Sequence, residues 1–358
     1  MKKILKIFGI VLLLLLIAVL GYVAYVLIDY DRIEDMQELT VEGDAVIDGF
    51  SVDTEYTVVT QNIGFGAYTD DFTFFMDGGK ESRAESEESV VNCVNNIAVD
   101  INALAPDIVL FQEVDFGSTR SFQVDQNAML CEAFDGFDEV FAVNYHSAYL
   151  MYPILEPHGA SNSGLLTMSS ADITSALRRS FPISTGFSKF LDLDRCYSVC
   201  RISVENGKEL VVYNVHSSAY GGDETVRAGQ MGMLFDDMAS EYAKGNYVIA
   251  GGDFNHDFTG SSTMDLNNME TNDFGWAQPF PVEMLPEGFT RCVDYTRGAD
   301  VPTSRNCDVP LAENPTVFIL DGYLISDNVS VTYLENIDNA FRYTDHNPVL
   351  MRFKMNGE

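Results

Sequence analysis

Apolar residues along this chain form one unbroken block and then a succession of short runs separated by turn residues. The block, Ile7 to Ile28, carries no charge. As a helix it would extend about 33 Å, enough to cross a bilayer core of about 30 Å. Lys2, Lys3 and Lys6 precede it, and Asp29, Asp31, Glu34 and Asp35 follow. That asymmetry orients the segment with its N-terminus inside the cell and everything after it outside. Tyr22 and Tyr25 fall near the outer end, where amphipathic rings favour the interface. The rival reading is a cleaved signal peptide, whose apolar region is usually about 7–15 residues before a small-x-small site; here the run is longer and no A-x-A follows. The expected division is a cytoplasmic stub (1–6), a membrane anchor (7–28), an acidic tether with one edge strand (29–52), and an exported domain (53–358).

Beyond the anchor, β-like runs alternate with turn signals and a few amphipathic helices. The pattern predicts strands at Tyr56–Asn62, Asp107–Glu113, Gly164–Ser169, Tyr197–Val204, Glu209–His216, Tyr247–Gly251, Val317–Ile325 and Pro348–Phe353. It predicts helices over 86–104, 120–134 and 223–242. In the last of these Met231, Leu234, Phe235, Met238 and Tyr242 form one apolar stripe, with Asp223 as the expected N-cap. Many strands and few helices over about 300 residues indicate an α/β fold of two packed sheets with helices outside. Two long stretches, 64–86 and 257–315, resist assignment; loops of this length are usually functional or disordered. The first contains the apolar segment Phe72–Met76, which fits a core position and a membrane-dipping loop equally well.

Charge narrows the function. The net charge of −33, from 54 acidic and 21 basic residues, disfavours a broad phosphate-tracking surface and hence nucleic-acid binding. It does not exclude a nuclease, because a bound cation reverses the sign locally. Six cysteines are too few for a disulfide scaffold. Cys196/Cys200 and Cys292/Cys307 are near enough in sequence to bridge in an oxidising compartment; free, buried thiols are an equal alternative.

Several apolar runs close on residues that an ordinary strand end does not require. "TVVTQN" ends at Asn62, "DIVLFQE" at Glu113 and "ELVVYNVH" at His216. "YVIAGGDFNH" delivers Asp253 and Asn255, "VFILDG" carries Asp321, and "YTDHNPVLMRF" carries Asp345 and His346. Taken singly, each is an ordinary turn or terminus residue. Repetition alters the balance, since delivering so many hard ligands from buried strands is costly unless they converge on something charged. Carboxylates and amides without thiolates suit Mg²⁺, Mn²⁺ or Ca²⁺. No GxxxxGK[ST] loop or GxSxG elbow is present.

The ordered blocks "QNIG", "DIVLFQEVD", "VVYNVHSSAYGG", "VIAGGDFNHDF", "FILDGYLIS" and "YTDHNPV" resemble the motifs of the endonuclease/exonuclease/phosphatase superfamily over about residues 53–356. The resemblance implies a four-layer sandwich with the site at one mouth of the two mixed sheets. It implies metal ligation by Glu113, Asn62 and Asp345 with Mg²⁺ or Mn²⁺ as cofactor, Asp253 activating water, and Asn255 on a phosphoryl oxygen. His346 would contact phosphate, oriented by Asp321, and His216 would face the leaving oxygen. Asp115 stands where nuclease members carry a basic DNA-contacting residue, which argues against DNA. Arg305 and Arg227 are candidate phosphate contacts with an equally good solvent-exposed reading, and His146, His158 and His256 receive no role.

These readings converge on a membrane-anchored, extracytoplasmic phosphoesterase acting on a phosphate ester, with a lipid headgroup suggested by the anchor. An exported nuclease and a non-catalytic surface module of the same fold are the alternatives. No protein partner is implied.

Overall fold

The structure is a computed structural model describing residues 2–186, 189–192, 194–219 and 224–357. Helix Lys2–Asp29 is long and apolar enough to cross a membrane, and none of its residues is buried. The remainder folds as two seven-stranded mixed sheets packed face to face with helices outside.

The first sheet runs in the order Val329–Asn336, Val349–Met355, Glu55–Asn62, Ile108–Asp115, Gly159–Ser169, Asp138–Leu150 and Val41–Gly43. The second runs Phe289–Arg291, Asp321–Ser326, Tyr247–Asp253, Glu209–His216, Cys196–Ser203, Ile173–Ser180 and Gln37–Leu39. Each sheet has a single parallel pair, Glu55–Asn62 with Ile108–Asp115 in one and Glu209–His216 with Tyr247–Asp253 in the other. A parallel pair needs a crossover, which the helices Glu87–Asn102 and Glu224–Tyr242 supply.

Alternation along these central strands explains their nearly continuous apolar sequence. Val58, Ile108, Leu110, Leu210, Val212 and Ile249 fill the space between the sheets. Their neighbours Val59, Val109 and Phe111 pack under helix Glu87–Asn102, with Val90, Val94, Ile97 and Ile101. On the opposite side, Val211, Tyr213, Val248 and Ala250 meet Met231, Leu234, Phe235 and Met238 of helix Glu224–Tyr242. Both faces of each strand are covered, so both positions of the period are apolar. The stripe on helix Glu224–Tyr242 is core as expected, whereas its expected N-cap, Asp223, lies outside the described residues.

Predicted and observed elements differ in instructive places. The helix expected over 120–134 is confined to Gln126–Ala133, because Phe122 and Gln123 hold left-handed backbone (φ 57° and 64°). The strand expected at Val317–Ile325 divides into Val317–Phe318 and Asp321–Ser326. The strands Asp138–Leu150, Ile173–Ser180 and Val329–Asn336 were not anticipated. Residues 37–43, inside the expected tether, form an edge strand on each sheet, Gln37–Leu39 on Ile173–Ser180 and Val41–Gly43 on Asp138–Leu150. All six cysteines are free; Cys196 and Cys200 are four residues apart on one strand, about 13 Å, beyond bridging distance.

Asp115 does not act as its position suggested. It is fully buried and accepts two hydrogen bonds from Arg120 (3.0 and 2.8 Å) and one from Ser121 (2.9 Å). Its charge is cancelled within the protein and is not presented to a substrate, which withdraws that argument against a nuclease. The two long unassigned stretches are ordered, and Phe72 and Phe74 are core residues packed with Phe65 and Tyr68.

Arg120→Met should destabilise the fold by about 3–5 kcal/mol, because it strands a buried carboxylate; a urea midpoint unchanged from wild type would contradict this. A second expectation concerns pH. Burial works against the Glu241 carboxylate, but hydrogen bonds from Arg201, Lys244 and Asn246 outweigh it and lower its pKa from 4.5 to about 2. The stabilisation is complete above pH 4.5 and is lost as pH falls toward 2. The Glu241→Gln protein should therefore be less stable than wild type at neutral pH, with the gap closing as pH falls through this window in parallel urea titrations.

Candidate active site

The site lies where both parallel pairs end. Tyr247–Asp253 pairs with its neighbours so that Asp253 stands opposite His216 on one side and Asp321 on the other. One row across the second sheet thus delivers an imidazole and two carboxylates. The first sheet supplies Asn62 and Glu113, and the segment leading into Val349–Met355 supplies Asp345 and His346.

Local backbone aims these groups. Between Phe111 and Val114 the strand bulges, and Glu113 adopts φ 55°. Strict alternation would send Glu113 under the helices with Val109 and Phe111; the bulge turns it into the mouth instead. Asn255 is also left-handed, at φ 47°. Such conformations persist only where the surroundings enforce them. At Gly252 an added Cβ would lie 2.0 Å from the Val215 carbonyl oxygen, so only glycine lets these strands meet beside Asp253.

Asn62 ties the two sheets' carboxylates together. Its Nδ2 donates to Glu113 Oε1 (3.3 Å) and Asp253 Oδ2 (3.1 Å), while its Oδ1 accepts from Gly64 N (2.9 Å), which fixes the amide orientation. His346 Nδ1 lies 2.8 Å from Asp321 Oδ2, and its Nε2 lies 3.8 Å from Asp253 Oδ2 and 3.3 Å from Ser304 Oγ. His216 Nε2 is 3.6 Å from Asp253 Oδ2 and 3.9 Å from Glu113 Oε1. Asn144 Nδ2 sits 3.4 Å from His216 Nδ1, the arrangement in which Nδ1 accepts and Nε2 carries the proton. Asn255 donates its Nδ2 to Ser217 O and its backbone N–H to Asp253 Oδ1.

Electrostatics separates the two histidines. Burial pushes His216 well below the usual imidazole range, with Arg195, His346 and Arg120 adding to the effect. Burial also opposes charge on His346, but Asp321, Asp345 and Asp253 outweigh it and raise its pKa well above that range. The surroundings thus favour the neutral form of His216 and the protonated form of His346. Burial, reinforced by Asp321, raises Asp253 to about 7. Burial, reinforced by Glu113, raises Asp345 to about 6. In both, burial outweighs the relief that His346 gives, a condition that a hard cation would ease. Donor atoms of Asp253, Asp321 and His346 also lie within 4.8 Å of one another.

Glu113, Asp253, Asn255, His216, Asp345 and His346 all line the cleft above these groups. Asn62 and Asp321 stand directly behind as hydrogen-bond partners. Every residue assigned a catalytic or metal-binding role from sequence therefore converges here. Arg305 joins them. It is 2% exposed, donates Nη2 to Thr69 O, and leaves Nε and Nη1 without a partner. Arg227 is not among the lining residues. His158 lines the outer cleft wall, while His256 is buried with Nδ1 on Phe254 O. The long stretches 64–86 and 257–315 form walls through Phe65, Tyr68, Met76, Trp276 and Ser304. Asn144 and Ser304, which touch the two histidines, were invisible in the sequence because Asn and Ser within ordinary runs carry no signal.

The sequence pattern of the Endonuclease/Exonuclease/phosphatase family matches residues 59–305. No curated protein sequence matches the chain. Its fold is similar to an endonuclease/exonuclease/phosphatase from Beutenbergia cavernae (TM-score 0.57, 17% identity, 85% of this chain and 72% of that one). It is similar too to one from Bacteroides vulgatus (0.53, 15%, 85% and 100%). A third likeness is to ANGEL2, a 2',3'-cyclic phosphatase, in complex with adenosine-2',3'-vanadate (0.54, 14%, 90% and 99%). At these identities the neighbours speak for the fold, and the sequence pattern for the family. A family match over more than half of the chain, on a fold whose strand ends gather the expected carboxylates and histidines, establishes that this chain belongs to the endonuclease/exonuclease/phosphatase family of phosphoester-bond hydrolases.

Proposed function

We propose that this chain hydrolyses a phosphoester or phosphodiester with a bound Mg²⁺ or Mn²⁺, on the outer side of the membrane that its N-terminal helix crosses. The observation that carries the reading is the meeting, in one cleft, of Glu113, Asp253 and Asp345 with His346 and with Arg305, whose Nε and Nη1 have no hydrogen-bond partner. The carboxylates suit a cation, and the two basic groups suit the phosphate that the cation would share.

Glu113 and Asp345 are the better cation ligands. Asp321 is committed to His346 Nδ1, and an imidazolium has no lone pair to offer. Asn62 lies beside them, with one amide-oxygen lone pair left after Gly64. When bound, the metal would polarise the phosphoryl group and acidify water. The protein's own groups supply the remaining steps. Asp253 accepts the proton of the attacking water, whose oxygen joins phosphorus as the ester P–O bond breaks. His216 Nε2–H, 3.6 Å from Asp253 Oδ2, donates a hydrogen bond to the leaving oxygen, which takes up the proton that Asp253 accepted from the water. His346, Arg305 and Asn255 hold the phosphoryl oxygens, with Asp321 keeping His346 charged and oriented.

A lipid-borne phosphate is the favoured substrate, because the anchor holds the cleft near a bilayer. The net charge of −33 continues to disfavour nucleic acid.

Chelation by EDTA should abolish turnover on a panel of phosphate esters that includes plasmid DNA and RNA, and Mg²⁺ or Mn²⁺ should restore it. His346→Ala should lower kcat by about 10²–10⁴-fold with an unchanged circular-dichroism spectrum. A His346→Ala protein as active as wild type would refute the assignment. Arg305→Met should lower kcat/KM by about tenfold or more, the value of a charge-assisted hydrogen bond; equal values for both proteins would place Arg305 outside the phosphate site.

A further inference from the structure

The strand Asp138–Leu150 and its partner Gly159–Ser169 project a hairpin whose tip carries Met151, Tyr152, Pro153, Ile154 and Leu155, five residues without a charge. Ile154 is 83% exposed and Leu155 fully exposed. A lone exposed leucine needs no explanation, but consecutive apolar residues at the end of a hairpin mark a surface that something covers.

The structure also shows what lies beside it. Residues His146–Leu150 border Val26, Asp29 and Tyr30 at the end of the N-terminal helix. Tyr149 N donates to Tyr25 Oη (3.0 Å), and Met151 N donates to Tyr22 Oη (3.1 Å), which in turn donates to Tyr149 O (3.2 Å). Along the strand, successive residues thus meet helix positions progressively nearer the helix centre. Tyr22 lies seven residues, about 10 Å, inside the helix end at Asp29. The tip beyond Met151 therefore continues to the depth of the apolar helix itself.

This placement is held from the other side as well. Ile33 N donates to Asp194 Oδ1 (2.9 Å), Arg179 pairs with Asp35 (3.0 Å), and Gln37–Leu39 is an edge strand of the second sheet. Eight residues past the helix, the chain is already part of the fold, so the domain has no freedom to swing the hairpin away from the bilayer.

The same strand leads to the chemistry. Asn144 touches His216 and Tyr145 lines the cleft, as does His158 at the hairpin base. At that base Ser82 and Arg83 donate to Glu156 O and Pro157 O (both 2.5 Å), and the Tyr152 ring meets that of Phe75 at a tilt of 59°. Between the hairpin and the carboxylates, the cleft wall is built from Phe74, Met76, Tyr145 and His158.

We infer that the hairpin tip Met151–Leu155 inserts into the bilayer beside the N-terminal helix and seats the cleft mouth on the membrane, so that the substrate is a phosphoester carried by a lipid of that leaflet. The inference rests on the hydrolytic reading of the site for its substrate clause and on the proposed membrane span of the N-terminal helix for insertion. A soluble phosphoester of the same chemistry would reach the cleft without using the tip.

The test uses the full chain in vesicles of phosphatidylcholine and phosphatidylglycerol, with and without brominated acyl chains. Leu155→Trp fluorescence, read as a difference from the parent chain, should be blue-shifted and strongly quenched by the brominated lipids, whereas Glu132→Trp should not be. An unquenched, solvent-like Leu155→Trp would overturn insertion. The double variant Ile154→Glu/Leu155→Glu should hydrolyse glycerophosphocholine and glycerophosphoglycerol at the wild-type rate and lose about tenfold or more on the vesicle lipids. A quenched tip combined with equal rates of the variant and wild type on lipid, or with equal losses on lipid and soluble esters, would overturn the substrate clause. A quenched tip with no hydrolysis of either class by wild type would overturn the hydrolytic reading and leave insertion standing.

Discussion

Glu113 and Asn62 end strands of one sheet, while Asp253, Asp321 and His216 end strands of the other. The site exists only while the two sheets keep their separation and register, against the repulsion of the carboxylates that they bring together. Apolar packing between sheets is strong but non-directional, and by itself it would tolerate a slip. Directional contacts pin the interface just beneath the site. Gln112, adjacent to Glu113, donates to Asn214 Oδ1 (2.8 Å) across the gap, and Asn214 donates back to the carbonyls of Phe111 and Leu166. Deeper in, the Tyr323 hydroxyl faces Val58 O (3.2 Å) and donates to Val349 O (2.8 Å). Such buried polar links hold register because each has no alternative partner once displaced. The His346–Asp321 pair also spans the two sheets, so an element of the chemistry doubles as a clamp.

The two sheets also repeat a pattern. From Val349–Met355 to Gly159–Ser169 the pairings run antiparallel, parallel, antiparallel, and from Cys196–Ser203 to Asp321–Ser326 they do so again. Asn62 and His216 occupy matching ends of the first parallel strand in each pair, and Glu113 and Asp253 matching ends of the second. The ends of parallel strands that precede crossovers are where α/β sheets commonly place ligands. Here two such ends face each other, which doubles the number of polar side chains that can reach one point. That geometry explains how a chain this acidic concentrates several carboxylates in one cleft while cancelling others, such as Asp115, elsewhere.

Legibility in the sequence followed burial. Strands covered on both faces read as unbroken apolar runs, and their polar last residues stood out for that reason; Asn62, Glu113, His216 and Asp253 could all be picked from such ends. Asp138–Leu150 was missed because its burial alternates and its sequence mixes Asn, His, Ser and Tyr with the apolar positions. With it went Asn144, and the hairpin beyond. Asp115 misled because position along a motif says nothing about which neighbour reaches it; Arg120, five residues on, pairs with it. The cross-sheet partners of Gln112 lie about a hundred residues away, and no local pattern could announce them.

The segment after the anchor shows the same limit from another direction. Acidic composition and weak periodicity between residues 29 and 52 read as a tether, and a tether would leave the domain free to tumble above the membrane. Instead its backbone completes an edge of each sheet, and Arg178, Arg179 and Asp194 hold the intervening residues. Edge strands need partners, and short ones use them most economically when the pairing also solves another problem. The problem solved here is orientation. In the proposed arrangement a spanning helix, joined to the sheet edge by residues 30–36, would transmit the bilayer normal to the fold and so set the direction in which the cleft opens. For the proposed membrane-borne phosphoester, encounter would then be a search in two dimensions, with much of the rotational cost of docking met by the proposed anchor.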